Sequence, residues 1–360
     1  MNDSTIHRLT PYQVHLSKKC KGFGNTGRAA EARFEDIVLE VLMKTLATNI
    51  AEHPFLKRLS EESLEIISGC LTERTFEPGQ VIFQEGEPAN LFYLVQTGKV
   101  ALEWRNPNCE LANVQTIGAG SVLGWSWLFP PFVWHFKART LETTKVVVLD
   151  GAHLLAVSKG DPRFGYELMK RVAQVLIERL QAVQKKLLQA NHLKPLAPVP
   201  APPRSTSTTQ VSSAASLDAR IAQHPFLAGM TPEHLRILTA AAMPMEFNAG
   251  QVIFREGDVA NRFYLIQSGL VSLGSQKEED DPFCLQMIGA GDVLGWSWLF
   301  PPYYWHFEAR AIEPTKAIFF YGTRLREQCE QDHELGLELM RRVIQVVMKR
   351  LQAARERMTR

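Results

Sequence analysis

A sixteen-residue string, Gly124 to Arg139, returns at Gly295 to Arg310 with three changes: Phe132/Tyr303, Val133/Tyr304 and Lys137/Glu308. The same offset of 171 carries His53-Pro54-Phe55-Leu56 onto His224-Pro225-Phe226-Leu227 and Met169 onto Met340. A period this long is that of a whole domain and not of a solenoid unit, so one fold is expected twice. A chain of 360 residues leaves each copy room for its own core. Six of the seven tryptophans fall in the string and its repeat, which marks that segment as the place where the chain departs most from average composition.

Within each copy the hydrophobic period changes along the chain. After His-Pro-Phe-Leu comes a capped helix, with Ser60 before Glu61-Glu62 in the first copy and Thr231 before Pro232 in the second. Short β-type runs follow: Val81-Ile82-Phe83, Phe92-Tyr93-Leu94-Val95, Val100-Ala101-Leu102, Val122-Leu123 and Val146-Val147-Val148. They are punctuated by Glu85-Gly86-Glu87, Thr97-Gly98 and Gly118-Ala119-Gly120, the pattern of a sandwich or barrel. Each copy closes on a long helix whose apolar positions step by four and three. These are Met169, Ala173, Leu176, Leu180, Val183 and Leu187, answered by Met340, Ile344, Val347 and Leu351. A strict 3.5-residue period predicts a pairing seam, closed either within one chain or in a homodimer.

The boundaries read from composition are a basic, disordered tail over 1–29, an amphipathic helix over 30–52, a first domain over 53–193 and a second over 218–360. Between them, 194–217 is a linker rich in proline, serine and threonine.

Lys and Arg number 40 against 38 Asp and Glu, a net charge of +2 that calls for no polyanionic partner, so specific nucleic-acid binding is not expected. Five scattered cysteines without a Cys-x-x-Cys spacing argue against a disulfide framework or a zinc site. The N-terminus lacks a signal pattern, and no apolar run approaches the roughly 18 residues of a membrane span. A cytoplasmic protein is expected. No nucleophile-base pair, paired carboxylates or metal-ligand spacing stands out, which leaves no catalytic residue and no metal site to assign.

The ordered set Glu85-Gly86, Gln96-Thr97-Gly98-Lys99-Val100 and Gly118 to Gly124, with Glu256-Gly257, Gln267-Ser268-Gly269-Leu270-Val271 and Gly289 to Gly295 in the second copy, resembles the cyclic nucleotide-binding domain of catabolite activator proteins, Fnr and protein kinase regulatory subunits. The resemblance covers about residues 53–188 and 224–358. It implies a mainly β fold with flanking helices: two tandem jelly-roll β-barrels, each ending in a long helix. It also implies that the segment after Gly124 and Gly295 is the phosphate-binding cassette. In that family a Glu in the cassette holds the ribose 2′-hydroxyl and an Arg neutralises the cyclic phosphate. Here Trp125 and Trp296 stand at the Glu position, and the Arg position falls near Phe132 and Tyr303. Loss of two charge-assisted hydrogen bonds removes about 3–6 kcal/mol, on the order of 10² to 10⁴ in affinity.

Candidate pocket residues are therefore Gly124, Trp125, Ser126, Trp127, Trp134, His135 and Arg139, with Gly295, Trp296, Ser297, Trp298, Trp305, His306 and Arg310 in the repeat. The cassette amides and the Ser126 hydroxyl could hold an anion, and the indole rings could stack a purine or simply fill the emptied pocket. Arg139 alternates with Lys137, so both are expected to point the same way, toward solvent. The reading is a non-enzymatic regulatory protein with no certain cofactor, coupling a cyclic nucleotide or other small molecule to an unidentified protein partner. The alternative is a ligand-free adaptor with degenerate pockets. A transcription regulator is a third reading, weakened because no helix-turn-helix follows the last helix.

Overall fold

A computed structural model describes residues 52–68, 71–105, 111–189, 216–276 and 282–358. The tail, the N-terminal amphipathic helix and the linker read from the sequence lie outside these residues, apart from Glu52, Ser216 and Leu217. Two compact units divide the chain, Met1–Gly69 and Cys70–Arg360. In the first, the His53 Nδ1 accepts a hydrogen bond from the Phe55 amide (3.2 Å), and α1 (Glu61–Ser68) follows, with the Ser60 hydroxyl accepting from the Ser63 amide.

The second unit contains both barrels. In the first copy, β1 (Leu71–Phe76), β2 (Val81–Phe83), β3 (Leu91–Thr97), β4 (Lys99–Arg105), β5 (Leu111–Gly118), β6 (Val122–Leu123), β7 (Lys137–Thr140) and β8 (Thr144–Asp150) precede α2 (Gly151–Gly160) and α3 (Pro162–Gln189). The second copy opens on α4 (Leu217–Ala222) and α5 (Pro232–Ala240). It continues with β9 (Ala242–Phe247), β10 (Val252–Phe254), β11 (Arg262–Ser268), β12 (Leu270–Gln276), β13 (Pro282–Gly289), β14 (Val293–Leu294), β15 (Glu308–Ala311) and β16 (Thr315–Tyr321), and closes on α6 (Gly322–Gln331) and α7 (His333–Met358). The strands form antiparallel sheets in the orders β1-β8-β3-β6 and β2-β7-β4-β5, repeated as β9-β16-β11-β14 and β10-β15-β12-β13. The architecture is mainly β with flanking helices, two barrels in tandem.

Alternation along the strands places Tyr93, Val95, Val100, Leu102, Val146 and Val148 in the first barrel's interior, and Tyr264, Ile266, Val271, Leu273, Ala317 and Phe319 in the second's. Gly98 and Gly269 turn the chain between strands with φ of +92° and +91°; a Cβ at either would lie 2.5 Å from the hydroxyl of Thr144 or Thr315. Only glycine fits there.

Asp161 and Asp332 cap the long helices, each accepting from an amide three residues on (3.0 Å). The two helices pair with each other inside the chain. At their first turns, a Cβ on Gly165 would come within 3.0 Å of Leu337, and one on Gly336 within 2.8 Å of Tyr166, so the approach is reciprocal under the 171-residue offset. Tyr166 Oη also donates to Glu330 (3.0 Å), which Lys170 pairs with as well. Every seam position, from Met169 to Leu187 and from Met340 to Leu351, is buried. The seam left open between one chain and two thus has its partner in cis, which ties the two barrels into one unit. Among the described residues no helix is long and apolar enough to cross a membrane.

Candidate functional site

The repeated string is the loop that leaves β6 and returns as β7, and β14 to β15 in the second copy. Gly124 (φ +84°) and Gly295 (φ +82°) turn it, and a Cβ at either would meet the indole of Trp134 or Trp305 at about 3 Å. A single 3-10 turn follows, Ser126–Leu128 or Ser297–Leu299. The chain then reaches Phe132 (φ 55°) and Tyr303 (φ 59°), both in the left-handed region that bulky residues seldom adopt. Backbone bonds lace this loop to the turn carrying Glu85-Gly86: Ala89 donates to the Phe132 carbonyl (2.7 Å), Trp134 to that of Glu87 (2.9 Å) and Gly86 to that of Trp134 (2.8 Å).

The three tryptophans of each cassette have separate places. Trp134 enters the barrel and stacks on Phe83 (centroids 4.2 Å apart, 20° between planes), as Trp305 does on Phe254 (4.0 Å, 15°). Trp127 packs on Gly151 at the start of α2, and Trp298 on Gly322 at the start of α6; a Cβ on either glycine would lie 2.6 Å from indole atoms. Both rings are buried, with no hydrogen-bond partner for Nε1 among the described residues. These four rings are core.

Trp125 and Trp296 are covered by arginines from the long helices. The Arg179 guanidinium lies 4.3 Å from the Trp125 ring, and Arg350 lies 4.5 Å from Trp296. Each arginine also donates from Nη2 to the carbonyl two residues before the cassette glycine: Arg179 to Val122 (2.5 Å) and Arg350 to Val293 (2.6 Å). Burial pushes the Arg350 pKa down to about 10. A desolvated cation over an indole contributes about 2 kcal/mol, so cassette and long helix are joined directly. Sequence reasoning missed both arginines. The recurrence of Arg179-Leu180-Gln181-Ala182 at Arg350-Leu351-Gln352-Ala353 was the signal available.

Arg139 and Lys137 do point the same way, but the expectation that they face solvent is corrected. β4 pairs with β7 so that Glu103 stands opposite Lys137. Glu103 is only 6% exposed, and both cations close on it. Hydrogen bonds from Arg139, then Lys137, hold its carboxyl below the usual range despite burial. In the second copy Gly274 replaces the carboxylate and Glu308 supplies it from the neighbouring strand, 2.7 Å from Arg310, which also donates to the Gly250 carbonyl. These charges are matched within the barrels.

His135 and Ser126 line a groove of about 360 Å³ between the first cassette and α7. Trp125, Phe129, Pro130, Pro131 and Phe136 form one wall, and Gln345, Met348, Lys349, Leu351 and Gln352 form the other. His306 and Ser297 line a cavity of only about 30 Å³ in the second copy. There Gln181 of α3 approaches His306 Nδ1 (3.2 Å), with the Ser297 hydroxyl at 3.4 Å, and burial lowers the His306 pKa, keeping the ring neutral. No cluster of three or more His, Cys, Asp or Glu able to hold a metal occurs among the described residues.

A family model described as the Cyclic nucleotide-binding domain matches residues 73–161 and 244–332. The chain is similar to a CRP-like cAMP-activated global transcriptional regulator of Mycobacterium tuberculosis, 26% identical over 35% of this chain and 56% of the relative, so it spans about half of that protein's length. Among solved structures it is similar to a putative cyclic nucleotide-binding protein from Geobacter metallireducens, with 32% identity, 37% of this chain and 94% of that one covered, and a TM-score of 0.33. It is also similar to the regulatory domain of Toxoplasma gondii PKA in complex with cAMP, with 16% identity, 87% and 98% covered, and a TM-score of 0.30.

Proposed function

This chain belongs to the cyclic nucleotide-binding domain family and carries its domain twice, and from that premise we propose that it is a non-enzymatic regulatory protein in which only the first copy receives a small ligand. The observation that carries this reading is the groove of about 360 Å³ joining the first cassette loop to α7, against about 30 Å³ beside the second loop, where the larger space of about 340 Å³ lies off the loop, along residues 291–293 and α7. Pockets for small organic molecules run to about 300–1,000 Å³, with aromatic walls and a few polar groups. A ligand seated between Trp125 and Lys349 touches the cassette and the helix of the other copy together, so it favours one setting of the paired helices over another. That setting is what a protein partner reads. With Trp125 and Phe132 at the anchor positions, the groove suits a planar, largely apolar anion better than unmodified cyclic AMP.

Isothermal calorimetry of the full chain against cyclic mononucleotides, cyclic dinucleotides and common nucleotides, beside native mass spectrometry of protein from its own host, tests the proposal. The expected result is one ligand per chain, lost in Trp125→Ala and kept in Trp296→Ala. Silence in both experiments overturns the sensor and favours the ligand-free adaptor.

A further inference from the structure

Two grooves flank α7, and two of its residues belong to both. The groove of the first cassette reaches Gln345 and Lys349 from one side. A second groove of about 340 Å³ reaches the same pair from the other, between α7 and residues 291–293 of the second barrel. Both side chains are exposed and stand one helical turn apart, about 6 Å, so a chain of atoms can pass between them from one groove to the other.

The two compartments differ in chemistry. Trp125, Phe129 and Phe136 make the first aromatic, whereas Gln286 and Asp292 face Arg342 and Arg350 across the second. Those arginines are already matched. Arg342 bonds Glu338 and the Phe226 carbonyl, and Arg350 bonds the Val293 carbonyl and the Trp296 face with the charge of Asp292 nearby. Lys349 makes no ion pair, and the Gln345 amide no hydrogen bond, among the described residues. At the equivalent positions of α3, Arg171 donates to Gln174 (2.8 Å) and Gln174 to Glu178 (3.0 Å), so that row is satisfied within its own helix. Only α7 thus offers an uncommitted cation with an aromatic space on one side and a polar one on the other.

We infer that the ligand of the first groove is an organic monoanion with its charge in the middle. Its aromatic body lies against Trp125, its acidic group meets Lys349, and an uncharged polar arm crosses beside Gln345 to hydrogen-bond Gln286 in the second groove. A second negative charge on that arm would face Asp292 with no free cation to answer it. The inference rests on the reading of the first groove as a ligand site.

Fluorescence titration of the full chain with two dansyl amino acids tests it. Dansylglycine supplies the aromatic body and the carboxylate, and dansylglutamine adds a carboxamide arm. Dansylglutamine should bind about tenfold more tightly, the worth of one or two hydrogen bonds. Val346→Trp, which fills the second groove, and Gln286→Leu, which removes its amide, should each bring the ratio of the two dissociation constants to about one. Lys349→Gln should weaken both probes. Equal affinities in the wild type, or a ratio unchanged in both groove variants, overturns the inference while leaving the first groove a ligand site. Binding of neither probe overturns that reading and the inference together.

Discussion

The two cassettes differ at three of sixteen positions and share their turn, their left-handed residue and their stacked tryptophan, yet one borders a groove of about 360 Å³ and the other a space of about 30 Å³. The difference comes from what each loop faces. α3 sends Gln181 and Gln184 against the second cassette, where Gln181 closes on His306. α7 presents Gln345, Met348 and Lys349 to the first. The position equivalent to Lys349 in α3 is Glu178, whose carboxylate accepts from Gln174 (3.0 Å). Nearly identical loops therefore acquire different chemistry from the opposite copy's helix, so a tandem protein can specialise its halves without altering the loops.

The strongest test of what the copies have in common is removal of the stacked indole. Trp134→Ala and Trp305→Ala each take a large ring out of a packed barrel and should cost about 3–5 kcal/mol in urea unfolding. A cost under about 1 kcal/mol in either copy would break the equivalence of the two stacks. The charge difference between the helices is the next lever. Anilinonaphthalene sulfonate, a planar apolar anion, should bind the first groove. Lys349→Glu should weaken it roughly tenfold to a hundredfold, the size of one charge-assisted contact, while Glu178→Lys leaves it unchanged. Equal effects from the two variants would remove the asymmetry.

The smallest effect concerns the strand charges. Since the folded-state pKa of Glu103 is depressed, chiefly by Arg139, its pairing stabilises the fold above the ordinary carboxylate value of about 4.3 and is lost as pH falls through the depressed one. Glu103→Gln should lower stability at neutral pH by about 1 kcal/mol, discounted for the partial exposure of Lys137 and Arg139, with the gap to wild type closing on acidification. A gap that fails to narrow as pH falls below the ordinary carboxylate value would mean that packing, and not the ion pair, is responsible.

Much of this was readable before any fold was known. Glycines at 98 and 269, the β-runs between them and the four-three stepping of the last helices are local signals, and they led to strands, turns and a buried seam. The place of Trp125, directly after the glycine that turns the loop, was equally visible. Arg179 and Arg350 were not, since an arginine in an amphipathic helix ordinarily reads as a solvated surface residue. Nor was the closure of Arg139 and Lys137 over Glu103, which depends on the pairing of β4 with β7 across more than thirty residues of chain.

Residue order alone determined that one fold occurs twice and where each copy turns, because these depend on neighbours a few positions apart. Which helix completes which cassette, and hence which copy stays open, was decided only when the chain returned on itself. Contacts such as Gln181 to His306 join residues 125 positions apart, and no local pattern encodes the meeting of surfaces that distant.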